Sequence, residues 1–205
     1  MKRGFYPKLA MTGIARNRKT YIPYILTCTG MIMMFYIVSF LSRSDTVAAM
    51  LGGDTMQGIL SLGSGVIFIF ALIFLFYTNS FLIRRRKKEF GLYNILGMGK
   101  RNLAGILVWE SVIIAALSYL GGLFCGILFS KLAELVMTRL LHGSVSFGFS
   151  VDWSAILRTL GLFAIIHCLI LLNALRQIHV SNPVELLRSE AVGEKPPKSN
   201  WLLAL

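Results

Sequence analysis

The chain has 205 residues, of which 56% are hydrophobic and 15% charged, with a mean hydropathy of +0.69. Those values exclude an ordinary soluble domain of this length. The net charge of +12 comes from 21 Lys and Arg against 9 Asp and Glu. These basic residues cluster beside long apolar blocks, where they orient helices in a bilayer, so no nucleic-acid partner is expected.

Residues 1–20 form a basic arm with Lys2, Arg3, Lys8, Arg16, Arg18 and Lys19. The apolar run that follows is too long for a secretory signal, and no small-x-small cleavage site comes after it. Four segments have the roughly 20 apolar residues needed to cross hydrocarbon. They are residues 21–41, 59–83, 103–129 and 155–175. The expected fold class is all-α, a polytopic membrane protein with four transmembrane helices and short helices at its cytoplasmic side.

Orientation follows from the excess of Lys and Arg in cytoplasmic segments. The arm is strongly basic, and so is the second loop, with Arg84, Arg85, Arg86, Lys87, Lys88, Lys100 and Arg101. The loop after the first crossing sets Arg43 against Asp45 and Asp54, and the one after the third sets Lys131 and Arg139 against Glu134 and Asp152. Both ends are therefore expected inside (N-in/C-in), in the cytoplasmic membrane of a bacterium. Tyr21, Tyr24, Tyr77 and Trp153 fall at expected interfaces, as in aromatic belts.

The polar stretch from Gly193 to Asn200 leads to Trp201, Leu202, Leu203, Ala204 and Leu205. Five apolar residues are far too few to cross hydrocarbon, and the stub is expected to open a fifth crossing of a longer polypeptide. Cys28, Cys125 and Cys168 lie in apolar blocks without CxxC spacing and read as packing residues.

Within the crossings, Glu110, His167 and Arg158 stand out, because desolvating ionisable groups in lipid is costly. Glu110 is expected to pair with a neighbouring helix, His167 to be a packed, hydrogen-bonded histidine, and Arg158 to snorkel. Gly122 with Gly126, and Ser61 with Gly65, have the small-xxx-small spacing that lets helices approach closely. No P-loop, H-E-x-x-H or G-x-S-x-G sequence occurs, so no enzyme is expected, and no cofactor or metal in this chain.

The most specific stretch lies between the second and third crossings. Arg86, Lys87, Lys88 and Glu89 lead into Phe90, Gly91, Leu92, Tyr93, Asn94, Ile95, Leu96 and Gly97. At helical spacing Phe90, Tyr93, Leu96 and Gly97 share one side, with Gly91 and Asn94 away from it. The bland account is a topogenic loop with an interfacial helix; its apolar content points instead to a protein bound by helix-in-groove contact. After the fourth crossing, Asn182 suits an N-cap, Pro183 the first helical position and Glu185 a capping box, starting a short helix that carries Leu186 and Leu187.

The run RRRKKEFGLYNILGMGKR resembles the cytoplasmic loop of the FtsX-like ABC permeases, most of all their BceB-type branch. HVSNPVELLR resembles that family's segment after the fourth helix, and GEKPPKSNWLLAL the entry to the branch's fifth helix. The resemblance implies that residues 21–190 are the permease domain and residues 191–205 a linker and the start of a further helix. It implies a coupling helix docked on a separate ABC ATPase dimer that holds the ATP and Mg, with 182–187 as a second contact. It also implies transport, detoxification or sensing of cell-wall-active peptide antibiotics, with a sensor histidine kinase as a further partner. Alternatives are another FtsX-like export or lipoprotein-release permease, a non-catalytic membrane regulator or assembly factor using the same loop, and an intramembrane enzyme acting through Glu110 and His167.

Overall fold

The computed structural model describes residues 5–50, 52–95, 97–140 and 152–180. Among these residues every regular element is a helix, in the order α1 (Phe5–Arg16), α2 (Arg18–Leu41), α3 (Asp45–Ala48), α4 (Gly53–Arg85), α5 (Lys87–Ile95), α6 (Lys100–Leu140) and α7 (Trp153–Val180). The segments 182–187 and 201–205, including the expected second contact and the start of a fifth crossing, lie outside the described residues.

Helices α2, α4, α6 and α7 are long and apolar enough to cross a membrane. With no water in hydrocarbon to hydrogen-bond the backbone, each crossing must satisfy its own amides, which is why these apolar blocks are helices. Their outward faces carry large apolar side chains such as Leu62, Phe70, Leu120 and Phe124. Lipid solvates those faces, so close packing rather than water exclusion holds the bundle together.

The packing centre is α6 against α2. On α6 every fourth residue from Ile106 to Thr138 is buried, among them Glu110, Ser118, Gly122, Gly126, Ser130 and Glu134. On α2 the same spacing buries Tyr24, Cys28, Ile32, Tyr36 and Phe40. Matched rows of this kind interdigitate as i±4 ridges. The small residues of α6 make room for the bulk of α2: a Cβ on Gly122 would lie 2.6 Å from Ile32 Cγ2, and one on Gly126 would lie 3.0 Å from Tyr36 Cδ1. Gly65 of the other small pair has nothing within 4 Å. A core of Phe35, Ala71, Leu75, Phe163, Ile166 and Ile170 brings α4 and α7 onto α2.

Several expectations change. The basic arm is largely a helix, α1, laid against α6. The helix of the third crossing does not stop at 129; Lys131, Glu134 and Arg139, expected in a loop, continue α6 to Leu140. Lys131 pairs with Glu134 one turn on at 2.6 Å, and helix-compatible charges extend the rod where hydropathy alone ends it. At about 60 Å, α6 is twice as long as the hydrocarbon core is thick. Tyr21 and Tyr24 are buried inside the bundle rather than set in an aromatic belt, whereas Tyr77 and Trp153 are exposed.

Candidate functional site

The basic stretch after α4 is not one uniform patch, because a helical step of about 100° sends successive side chains in different directions. Arg84 is exposed; Arg85 stacks over the Phe81 ring at 4.8 Å; Arg86 is 4% exposed and turned into the bundle. Arg86 also sits at the joint where α4 ends and α5 begins, and its carbonyl accepts the Phe90 amide at 3.1 Å.

The Arg86 guanidinium is the hub of a buried network. Its Nη1 lies 2.5 Å from Glu110 Oε2 on α6 and donates to the Tyr21 hydroxyl on α2. The same Tyr21 hydroxyl donates to Glu110 Oε2 at 3.1 Å. Arg86 Nε pairs with Glu89 Oε2 on α5 at 3.0 Å, and Asn17, between α1 and α2, donates to Glu89 Oε1 at 2.7 Å. The guanidinium stacks over Phe90 at 5.0 Å and over Tyr21 at 5.4 Å. Helix α1 closes the hub from outside with Gly13, where a Cβ would stand 3.1 Å from Glu110 Oε1. One side chain thus ties α1, α2, α5 and α6 to the end of α4.

Burial alone would draw Arg86 downward, but the charge of Glu110, then Tyr21 and Glu89, outweighs it and holds the guanidinium above its ordinary range. Arg86 is therefore a permanent cation, and a charge this deeply buried needs the opposite charge that Glu110 and Glu89 supply.

Helix α5 has two faces. Inward, Phe90 is 1% exposed and packs with Ile83, Leu103, Leu107, Ala174 and Ile178, with Tyr93 against the edge of this cluster. Gly91 is buried as well, so the inner face includes a residue that simple helical spacing sets apart from Phe90. Outward, Leu92 and Ile95 are 54% and 65% exposed, one turn apart. The helix stops in a Schellman motif: Met98 N–H donates to Tyr93 O at 2.9 Å and Gly97 N–H to Asn94 O at 3.1 Å. Gly97 has φ +88°, which suits glycine. Lys87 and Lys88 begin α5, and Leu96 lies outside the described residues. Lys100 Nζ bridges to His179 O at 2.8 Å, linking the start of α6 to the end of α7.

The opposite end of the bundle carries a second polar cluster. Ser44 Oγ donates to Glu134 Oε1 at 2.5 Å, Lys131 pairs with the other oxygen, and Gln57 donates to Ser44 O at 3.0 Å. It borders a cavity of about 910 Å³ whose lining includes Arg43, Asp152, Ser154 and Arg158. Sequence reasoning missed Glu134 here, having assigned it to a loop; its placement on the four-residue stripe that begins at Ile106 was the available signal.

Glu110 and His167 are not brought together. His167 Nδ1 donates to Phe163 O at 2.9 Å, and its ring lies 5.5 Å from that of Tyr119, nine residues along α6 from Glu110. Among the described residues no cluster of His, Cys, Asp or Glu could hold a metal ion.

Against known proteins, residues 61–183 match the family model described as FtsX-like permease C-terminal. The chain is 30% identical over 200 residues to an uncharacterized ABC transporter permease, YvcS, of Bacillus subtilis (strain 168), covering 96% of this chain and 31% of that protein. It is 28% identical over 166 residues to the bacitracin export permease protein BceB of Halalkalibacterium halodurans, covering 80% of this chain and 25% of that protein. To the ABC transporter permease protein YxdM of B. subtilis it is 22% identical over 199 residues, covering 97% of this chain and 32% of that protein. It therefore spans about a third or less of the length of these curated relatives. The matched residues run from the first third of α4 through the Arg86–Glu110 pair and all of α6 to the end of α7, and the chain belongs to the FtsX-like permease family of membrane proteins.

Proposed function

We propose that this chain is the membrane-spanning part of an ABC transporter permease whose coupling helix, α5, is gripped by a separate ATPase dimer. In this reading ATP and Mg stay on the ATPase, the end carrying α1 and α5 faces the cytoplasm, both chain ends lie on that side, and the membrane is the cytoplasmic membrane of a bacterium. The observation that carries it is the two-sided build of α5. Its inner face is locked to the bundle through Phe90 and the Arg86 pair, while Leu92 and Ile95 project outward as an apolar knob one helical turn long. Such a knob suits a partner's groove, and the buried inner face would carry its displacement to four helices. The basic end favours the cytoplasmic assignment.

The name of one relative, a bacitracin export permease, supports cell-wall-active peptide antibiotics as the class of substrate handled. A sensor histidine kinase completes this reading as a further partner, on the resemblance of the loop sequence alone. The segment 182–187 adds a second contact with the ATPase in this reading. Pull-down of the cognate ATPase by the protein in detergent tests the core of the proposal. Leu92→Asp with Ile95→Asp should abolish capture without loss of helicity, because both side chains are exposed; undiminished capture overturns it. Phe90→Asp is the wrong probe, since it places a charge in the inner cluster and disturbs the fold itself.

A further inference from the structure

Between α4 and α7, on the outer surface of the bundle, lies a groove of about 770 Å³. That volume falls within the roughly 300–1,000 Å³ of ordinary ligand clefts. Its lining is graded along its length. Leu72 and Phe76 from α4, with Leu169 and Leu172 from α7, make an apolar trough. Next come Ser80 and Asn173, where the Asn173 amide donates to the Ser80 hydroxyl at 3.3 Å. At the end stand Arg84 and Arg176, both exposed.

We infer that this groove is a binding site for one anionic phospholipid, with an acyl chain along the trough, the ester region at Ser80 and Asn173, and the phosphate between Arg84 and Arg176. From Leu72 to Arg84 is twelve residues, about 18 Å of helical rise. That equals half of a roughly 30 Å hydrocarbon core plus the first atoms of a headgroup. The order apolar, hydroxyl and amide, guanidinium is the order of groups along a phospholipid from tail to head.

Charge selects the headgroup. Arg86 and Arg85 are committed, to Glu110 and to the Phe81 ring respectively, but among the described residues no carboxylate pairs with Arg84 or Arg176. Arg84 spends only Nε, on Ser80 O at 3.4 Å. Two uncommitted guanidiniums facing one cleft chelate a phosphate well and disfavour a headgroup that brings its own cation. A protein helix in the same groove would have to supply carboxylates at that end. The site lies on the last turns of α4, directly before the Arg86 joint, so an occupying lipid braces the helix from which α5 springs.

The test is native mass spectrometry of the purified protein after equilibration in bilayer nanodiscs containing phosphatidylglycerol as a minor component in phosphatidylcholine. The expected result is one tightly held phosphatidylglycerol, enriched on the order of tenfold over the bulk ratio. Arg84→Gln with Arg176→Gln should bring enrichment near parity, and Leu172→Trp, which blocks the trough without touching charge, should release the lipid. Lys19→Gln with Arg101→Gln, exposed basic residues outside the groove, should leave enrichment intact. An equal loss from that second pair would mean diffuse surface charge and overturn the site. So would cross-linking that finds a helix of the same polypeptide or of a second copy seated in the groove.

Discussion

Replacing Arg86 with Met removes the cation of a pair whose side chains are 5% and 3% exposed, with Nη1 2.5 Å from Glu110 Oε2. Solvent screening gives little relief at that depth, and breaking one side of a buried pair typically destabilises by about 3–5 kcal/mol. An upper bound comes from the alternative open to the stranded carboxylate, which is to take up a proton. For a carboxyl of ordinary acidity at pH 7 this is about 4 kcal/mol. Arg86→Met is therefore expected to destabilise by about 3–4 kcal/mol, and Glu110→Leu by a similar amount, since the partly exposed Glu89 is then the one carboxylate left in the Arg86 network described above. The double variant should recover to within about 1–2 kcal/mol of the parent, the remainder being the stranded Tyr21 hydroxyl, which adding Tyr21→Phe removes. Equilibrium unfolding in mixed micelles, followed by circular dichroism, measures the cycle. Additive penalties, with the double variant near about 7 kcal/mol, would refute the claim that Arg86 and Glu110 act as a unit.

Further outcomes can be checked by the same unfolding assay. Gly122→Ala sets a methyl 2.6 Å from Ile32 Cγ2 and 3.0 Å from Thr29 O, and should destabilise by about 1–3 kcal/mol, whereas Gly65→Ala meets nothing and should be neutral or stabilising. Gly97→Ala forces a side chain into the left-handed region at φ +88° and should loosen the end of α5 by about 1 kcal/mol, visible as faster amide exchange at Met98. Ser44→Ala takes a hydroxyl from Glu134 and should destabilise by about 2 kcal/mol, while Ser64→Ala, at a half-buried serine bonded to Ser61 O within its own helix, should change nothing measurable.

The crossings were legible because hydrocarbon imposes both a length and a composition, and four blocks meet both. The extension of α6 was not, since Lys131 and Glu134 depress hydropathy while their pairing along one face favours helix. Glu110 announced itself as needing a partner, yet its identity was hidden: charge counting treats Arg84, Arg85 and Arg86 alike, and only their angular separation around the helix assigns one to the outside, one to a ring and one to the core. Tyr21 shows the same limit. Its position near a helix end fits an aromatic belt, and nothing local reveals that α6 delivers a carboxylate to its hydroxyl. On α5 the loose helical pattern groups Phe90 with Tyr93, and only the packed bundle shows that Phe90 turns inward while Leu92 and Ile95 turn outward.

The length of α6 has a mechanical side. Glu110 and Glu134 each lie twelve residues from Gly122, about 18 Å along a single unbroken helix, and Gly122 is where the rod is pressed against Ile32 and Thr29 of α2. Within the long seam that α6 shares with α2, the closest approach falls at the middle of the rod and leaves two equal arms. Rocking it by about 10° around that contact carries the carboxylate at Arg86 roughly 3 Å one way and the carboxylate at Ser44 the same distance the other way, without bending any backbone. The absence of a Cβ at Gly122 is what lets the fulcrum sit so close to its support.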